Sequence, residues 1–152
     1  MRDVRVREVT EADWAGWLPL WDGYNTFYGR AGETALPEHI TSLLWERLFD
    51  PTEPVHALVA ERDGRVIGLV HYLFHRATTM DGPICYLNDL FTAAEARGAG
   101  VGKALIEAVY AAARAAGSTR VYWQTHETNQ TAMRLYDQVA AKSGFLVYRK
   151  EL

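Results

Sequence analysis

Val4 and Val6 alternate with charged residues, the period-two pattern of a half-buried strand, and Val9 extends it. Thr10-Glu11-Ala12-Asp13 then reads as a helix start, Thr10 as N-cap and Asp13 three residues on. A helix is expected from about Glu11 to Tyr24, with Pro19 placed to break or kink it. Gly29 to Gly32 forms a loop, and a second helix opens at Leu36-Pro37-Glu38 and runs to about Phe49. Asp50-Pro51-Thr52-Glu53-Pro54 stops it.

The middle of the chain changes period. Val55–Arg62 and Arg65–Phe74 are apolar runs joined by Asp63-Gly64, a pair that suits the positive φ angles of a type I′ hairpin turn. After a turn at Asp81-Gly82-Pro83, Ile84–Phe91 predicts another strand, with Tyr86, Asn88 and Leu90 on one face and Leu87, Asp89 and Phe91 on the other. From Gly98 to Ala116 the period becomes helical, with Val101, Leu105, Ala108, Val109 and Ala112 on one stripe and Gly117 just past the end. Val121-Tyr122-Trp123 is a short buried strand and Thr128–Lys142 a second amphipathic helix. Gly144 closes that helix, and Phe145–Arg149 is a last strand. The predicted order is β-α-α-β-β-β-α-β-α-β, an α/β (α+β) class with a mixed sheet flanked by helices in one domain spanning 1–152.

Composition narrows the function classes. With 49% apolar and 23% charged residues over 152 positions, the chain is of ordinary globular type. A net charge of −3 argues against nucleic acid, whose phosphates call for a basic face, and for cationic small molecules or basic peptides. Cys85 is the single cysteine, so no intramolecular disulfide forms, and it reads as a small buried hydrophobe. No apolar run is long enough to span a membrane, and the charged N-terminus is no signal peptide. A cytoplasmic protein is the expectation. His71 and His75 lie four apart in a strand, about 13 Å, which argues against a shared metal.

The chemistry concentrates in Leu90-Phe91-Thr92-Ala93-Ala94-Glu95-Ala96-Arg97-Gly98-Ala99-Gly100-Val101-Gly102-Lys103. A strand ends, a loop follows, and three glycines open a helix. The first N–H groups of a helix lack internal partners and sit at its positive end, so glycines there let a phosphate approach them. Arg97 and Lys103 add charge. A Walker A loop would need glycine at Arg97 and a hydroxyl at Ala104, so that pattern fails twice. A dinucleotide fingerprint would need its third glycine one residue after Gly102 and an acidic residue near Arg120. The remaining pattern, R/Q-x-x-G-x-G/A, fits Arg97 to Gly102.

That loop resembles the nucleotide loop of the GNAT superfamily of N-acetyltransferases, and the resemblance extends over nearly the whole chain. Tyr86-Leu87-Asn88-Asp89-Leu90-Phe91-Thr92 is similar to the family's fourth strand. Asn129-Gln130-Thr131-Ala132-Met133-Arg134-Leu135-Tyr136 is similar to its fourth helix, with Ser143-Gly144-Phe145 after it. Leu20-Trp21-Asp22-Gly23-Tyr24 and Phe27-Tyr28-Gly29 look like the branch that holds histone and polyamine acetyltransferases.

The resemblance implies acetyl-CoA as co-substrate, no metal, and transfer of the acetyl group to a primary amine of a polyamine, an amino-acid-like molecule or a lysine side chain. It implies that Leu90, Phe91 and Thr92 hold the acetyl and pantetheine end, and that Arg97, Gly98, Ala99, Gly100, Val101, Gly102 and Lys103 hold the pyrophosphate. It places Asn129 beside the pantetheine and makes Tyr136 the acid for the departing thiolate. Asp22, Tyr24 and Tyr28 are the expected acceptor contacts. Some relatives carry Glu where this chain has Asn88, and Asn is no base. That leaves Asp89, Glu127, His126 or a water chain as the base, or an acceptor that arrives deprotonated. A non-catalytic acyl-CoA-binding or partner-binding module and a binder of another nucleotide are the rival readings. The resemblance also implies an uncovered sheet edge, so a homodimer is expected.

Overall fold

The computed structural model describes residues 3–152. Its central sheet runs β1 (Arg5–Glu8), β2 (Val55–Arg62), β3 (Arg65–His75), β4 (Ile84–Thr92) and β5 (Val121–Tyr122), side by side in that order. The first four strands are antiparallel, and β4 and β5 are parallel. Asp63 and Gly64, at φ 53° and 75°, form the tight turn between β2 and β3, as the Asp-Gly pair predicts.

Helix α1 (Trp14–Phe27) follows a short 3-10 turn at Glu11–Asp13 and passes through Pro19 without ending. Of the break or kink expected at Pro19, the break does not occur. Pro19 lies on the exposed face, while Trp17, Leu20, Trp21 and Tyr24 are buried against the sheet, and that burial outweighs the lost hydrogen bond. Trp17 packs between Trp14, Trp21 and Trp45, the last from α2 (Glu38–Leu48). Helix α3 (Val101–Ala115) covers the other part of the sheet with Val101, Leu105, Ile106 and Val109. It ends as predicted at Gly117, φ 83°, whose N–H bonds the Arg114 carbonyl while that of Ser118 bonds Ala113.

The last third departs from expectation. Helix α4 covers Gln130–Val139, shorter than the predicted Thr128–Lys142. Ala140 is already extended, so Gly144 closes no helix, and Phe145–Arg149 forms no strand within the chain. The fold class and the element order up to α4 stand, and the final strand is corrected to an extended arm. Phe145 to Tyr148 stand largely exposed, unpaired with any strand.

Candidate active site

Strand β4 decides where the site lies. Toward β3 its ladder runs from Ile84 to Thr92, but the register slips between the His71–Asp89 and Tyr72–Leu87 pairs, leaving Asn88 as an extra, bulged residue. Toward β5 it pairs only at Cys85–Val121 and Tyr86–Tyr122. Beyond Tyr86 the two strands part. The predicted strict alternation of β4 therefore fails at Asn88, the one place where a bulge re-aims its neighbours.

The glycine loop sits at the open end of this gap. Gly98 and Gly100 have φ near 80°, and an added Cβ at either would meet nothing within 4 Å. Their requirement is conformational, not steric. Gly100 is the N-cap of α3, and the first helical bond runs from Ala104 N–H to its carbonyl at 3.0 Å. The N–H groups of Val101, Gly102 and Lys103 are thus the free donors at the helix start. Gly102 plays another part: a Cβ there would lie 3.1 Å from Leu135, so this glycine lets α4 approach α3. Arg97 donates to the Thr92 carbonyl at 3.2 Å and holds its guanidinium 5.3 Å from the Phe91 ring centre, which ties the loop to the end of β4. Such a cradle of open backbone donors with two nearby cations fits a pyrophosphate.

Between α1, α2 and the sheet lies a cleft of about 580 Å³, with Asp89, Asn88 and His71 on its sheet wall and Arg30 on its helical wall. Asp89 is the centre of a hydrogen-bonded group. His71 Nδ1 lies 2.9 Å from Asp89 Oδ2, and Asn88 Nδ2 donates to Oδ1 at 2.8 Å. The Trp17 indole N–H donates to His71 Nε2 at 3.1 Å. An indole N–H can only donate, so Nε2 accepts and Nδ1 carries the proton that faces Asp89. Burial alone would push the Asp89 carboxyl up, but the bonds from His71, Tyr24 and Asn88 outweigh it and hold it below the ordinary range. The result is an ionised carboxylate at the edge of a cleft.

Tyr24 links this carboxylate to the helical wall. Its hydroxyl bonds Asp89, and burial, then the Asp89 charge, keeps it firmly protonated. Arg30 lies over the same ring, 5.8 Å from its centre, and 5.5 Å from that of Tyr28. Arg30 Nε donates to Asn25 Oδ1 at 2.7 Å. No carboxylate among the described residues pairs with Arg30, and nothing in the sequence pattern had singled it out. Its signal was available, a cation in the loop after an aromatic helix, but loop cations are usually solvated.

Tyr136 projects from α4, packs edge-on against Trp123 at 5.4 Å, and has its pKa pushed up to about 12 by burial and then by Tyr28. Tyr24, Tyr28, Asp89 and Tyr136 are thus brought into one neighbourhood. Asp22 is exposed and lines a small adjoining recess, which shares Asn25, Arg30 and Leu36 with the cleft. Asn129 is the N-cap of α4, its Oδ1 taking the Ala132 N–H at 3.5 Å, which leaves its amide N–H groups for a ligand. His126 turns to the Thr128 hydroxyl at 2.7 Å, and Glu127 is exposed. Cys85 is buried with its thiol pushed up to about 11 by desolvation, so it is no nucleophile. His75 bonds the Tyr122 hydroxyl at 2.9 Å, apart from the His71 group.

Residues 17–140 match the model of the acetyltransferase (GNAT) family. The chain belongs to that family. It is 33% identical over 149 residues to the D-amino-acid N-acetyltransferase HPA3 of Saccharomyces cerevisiae, across 97% of this chain and 90% of that protein. It is 29% identical over 147 residues to the uncharacterized N-acetyltransferase YhfO of Bacillus subtilis, across 95% of each. Among solved structures, the aminoglycoside N-acetyltransferase AAC(6')-Iy in complex with CoA superposes with a TM-score of 0.78, at 17% identity, over 99% of this chain and 96% of that one. The GNAT fold and an acetyl-CoA-dependent acetyltransferase activity of this family's type follow. The wide gap between shared shape and shared sequence leaves the acceptor to the cleft itself.

Proposed function

We propose that the protein acetylates the amine of a small amino-acid-like acceptor, with acetyl-CoA as donor. The observation that carries this reading is the pairing of charges across Tyr24: a buried ionised carboxylate, Asp89, at its hydroxyl and an unpaired guanidinium, Arg30, over its ring. A zwitterion with a carboxylate a few bonds from its ammonium satisfies both. A polyamine offers nothing to Arg30. The name of the yeast relative, a D-amino-acid N-acetyltransferase, supports the same class.

Acetyl-CoA supplies an acyl thioester, and the chain's own residues do the rest. The donors of Gly98 to Lys103, with Arg97, hold the pyrophosphate, while Leu90, Phe91 and Thr92 receive the pantetheine end along the unpaired edge of β4. Asp89 holds the acceptor ammonium. Its lowered pKa makes it a poor base, so it orients the amine, and the amine's proton leaves to water in the open cleft. Tyr136 keeps its proton through neutral pH and delivers it to the departing sulfur.

The test is thiol release from acetyl-CoA with D- and L-amino acids, their amides and polyamines. Amino acids are expected to be preferred, and Arg30→Gln to raise their KM about tenfold or more while leaving the amides unchanged, since a hydrogen bond to a charged group is worth about 1.5–3 kcal/mol. Preference for polyamines would overturn the acceptor assignment.

A further inference from the structure

Helix α2 carries apolar side chains along its length, yet none of its residues is buried. Leu44, Trp45 and Leu48 reach the edge of the core. Ile40 and Leu43, three positions apart on one face, do not. They line the cleft instead, and Ile40 is 37% exposed. The opposite wall has the same property. Val55 of β2 and Leu73 of β3 are direct cross-strand partners, so their side chains share a face of the sheet. Both line the cleft, and among the described residues neither packs against the core. Four apolar side chains on two elements therefore face each other across open space, with water as their only cover.

This apolar end adjoins the charged one. Leu73 follows His71, which holds Asp89 at 2.9 Å, by two residues on the same strand. The two side chains point to one face, about 7 Å apart along β3. The cleft thus runs from Asp89 and Arg30 to Ile40, Leu43, Val55 and Leu73. The remaining charges on its wall pair with each other, Arg47 Nε lying 3.9 Å from Glu53 Oε1, and offer no net charge to a ligand. At about 30 Å³ for each water-sized group, 580 Å³ holds roughly 19 of them. An acceptor as small as glycine or alanine leaves most of that space as water against apolar walls.

We propose that Ile40, Leu43, Val55 and Leu73 form the side-chain pocket of the acceptor and select amino acids with a large apolar side chain. The head group is fixed at the charged end, its ammonium at Asp89 and its carboxylate at Arg30, and the side chain extends toward the apolar end. A branched or aromatic side chain there displaces water from both walls at once. A charged side chain would lose its hydration and find no partner. This inference rests on the acceptor reading given above and deepens it, from amino-acid-like molecules in general to those with apolar bulk.

The test is thiol release from acetyl-CoA by the wild-type chain with glycine, alanine, leucine, phenylalanine, glutamate and arginine, each chiral one in both hands. In the preferred hand kcat/KM is expected to rise about 10²-fold or more from alanine to phenylalanine, since a single methylene in an apolar pocket is worth about tenfold or more. Glutamate and arginine are expected to stay near alanine or below it. A flat series, or glutamate or arginine above phenylalanine, would overturn the pocket and leave the amino-acid reading standing. Polyamines preferred over every amino acid would remove that reading and the pocket with it. Leu43→Trp fills the pocket from a half-buried helix position outside the core. It is expected to lower the phenylalanine-to-alanine ratio of kcat/KM about tenfold or more, and an unchanged ratio would place the side chain elsewhere. Should that variant fail to fold, Ile40→Gln, at an exposed position, is expected to lower the same ratio, and the wild-type series decides without either.

Discussion

The two edges of β4 are built for opposite purposes. Toward β3 the strand is paired from Ile84 to Thr92 apart from the Asn88 bulge, with Ile84, Cys85 and Leu87 in the core. Toward β5 it is paired at two residues and then lets go. The same contrast separates two buried carboxylates. Asp13 receives two bonds from the Arg7 guanidinium, each 2.8 Å, and another from the Thr10 N–H at 2.7 Å. Arg7, against burial, holds its pKa down to about 2. Its charge is cancelled on the spot. Asp89 is held ionised by a neutral imidazole, a phenol and an amide, so its charge is solvated by the protein but not neutralised. One carboxylate is spent on the fold; on the proposed reading the other is kept for a ligand.

Substitutions on the open side should change chemistry, and those on the closed side stability. Tyr136→Phe is expected to lower kcat about 10²–10⁴-fold with an unchanged unfolding midpoint. Unchanged turnover would remove Tyr136 from the mechanism. Asp89→Asn should lower kcat/KM about 10- to 150-fold, the loss of one charged contact. In the wild type kcat/KM should climb with pH toward the acceptor amine's own pKa, because Asp89 is already ionised across the range. A plateau below neutral pH would make Asp89 the base after all.

Gly100→Glu is expected to raise the Kd for acetyl-CoA about tenfold or more. Gly100→Asn, which tolerates the positive φ without adding charge, separates backbone strain from repulsion of the pyrophosphate. Equal affinity in the Glu variant would empty the cradle of its role. Asp13→Asn should leave kcat alone and cost about 2 kcal/mol, a midpoint lowered by roughly 4–8 °C. The sign with pH follows from a folded pKa below the ordinary 3.8. The contribution is complete above that value and is lost as pH falls toward about 2. A midpoint difference that persisted at the acid end would contradict the ion pair.

The sheet, its hairpin and the glycine loop were legible because each rests on local rules: alternation, the positive φ of Asp63-Gly64, free donors at a helix start. Pro19 misled because tertiary burial of three Trp17-centred aromatics overrode a local penalty. The Asn88 bulge was not legible, since register depends on what lies opposite. Arg30 and the His71–Asp89 pair were not either. They meet across 18 residues and more, and no spacing rule connects a strand histidine to a strand carboxylate. The arm was read as a strand from its composition. That reading fits its residues, but the arm lies exposed and pairs with no strand.

The most direct test of the central claim is thermal unfolding with acetyl-CoA, with NAD and ATP as controls. At about a hundred times the dissociation constant a ligand contributes about 2.7 kcal/mol, which at this size raises the midpoint by roughly 5–10 °C. A shift with acetyl-CoA alone, lost in Gly100→Glu, is the predicted result. No shift at millimolar acetyl-CoA, or an equal one with NAD or ATP, would contradict the assignment of the parted strands and the glycine loop to acetyl-CoA.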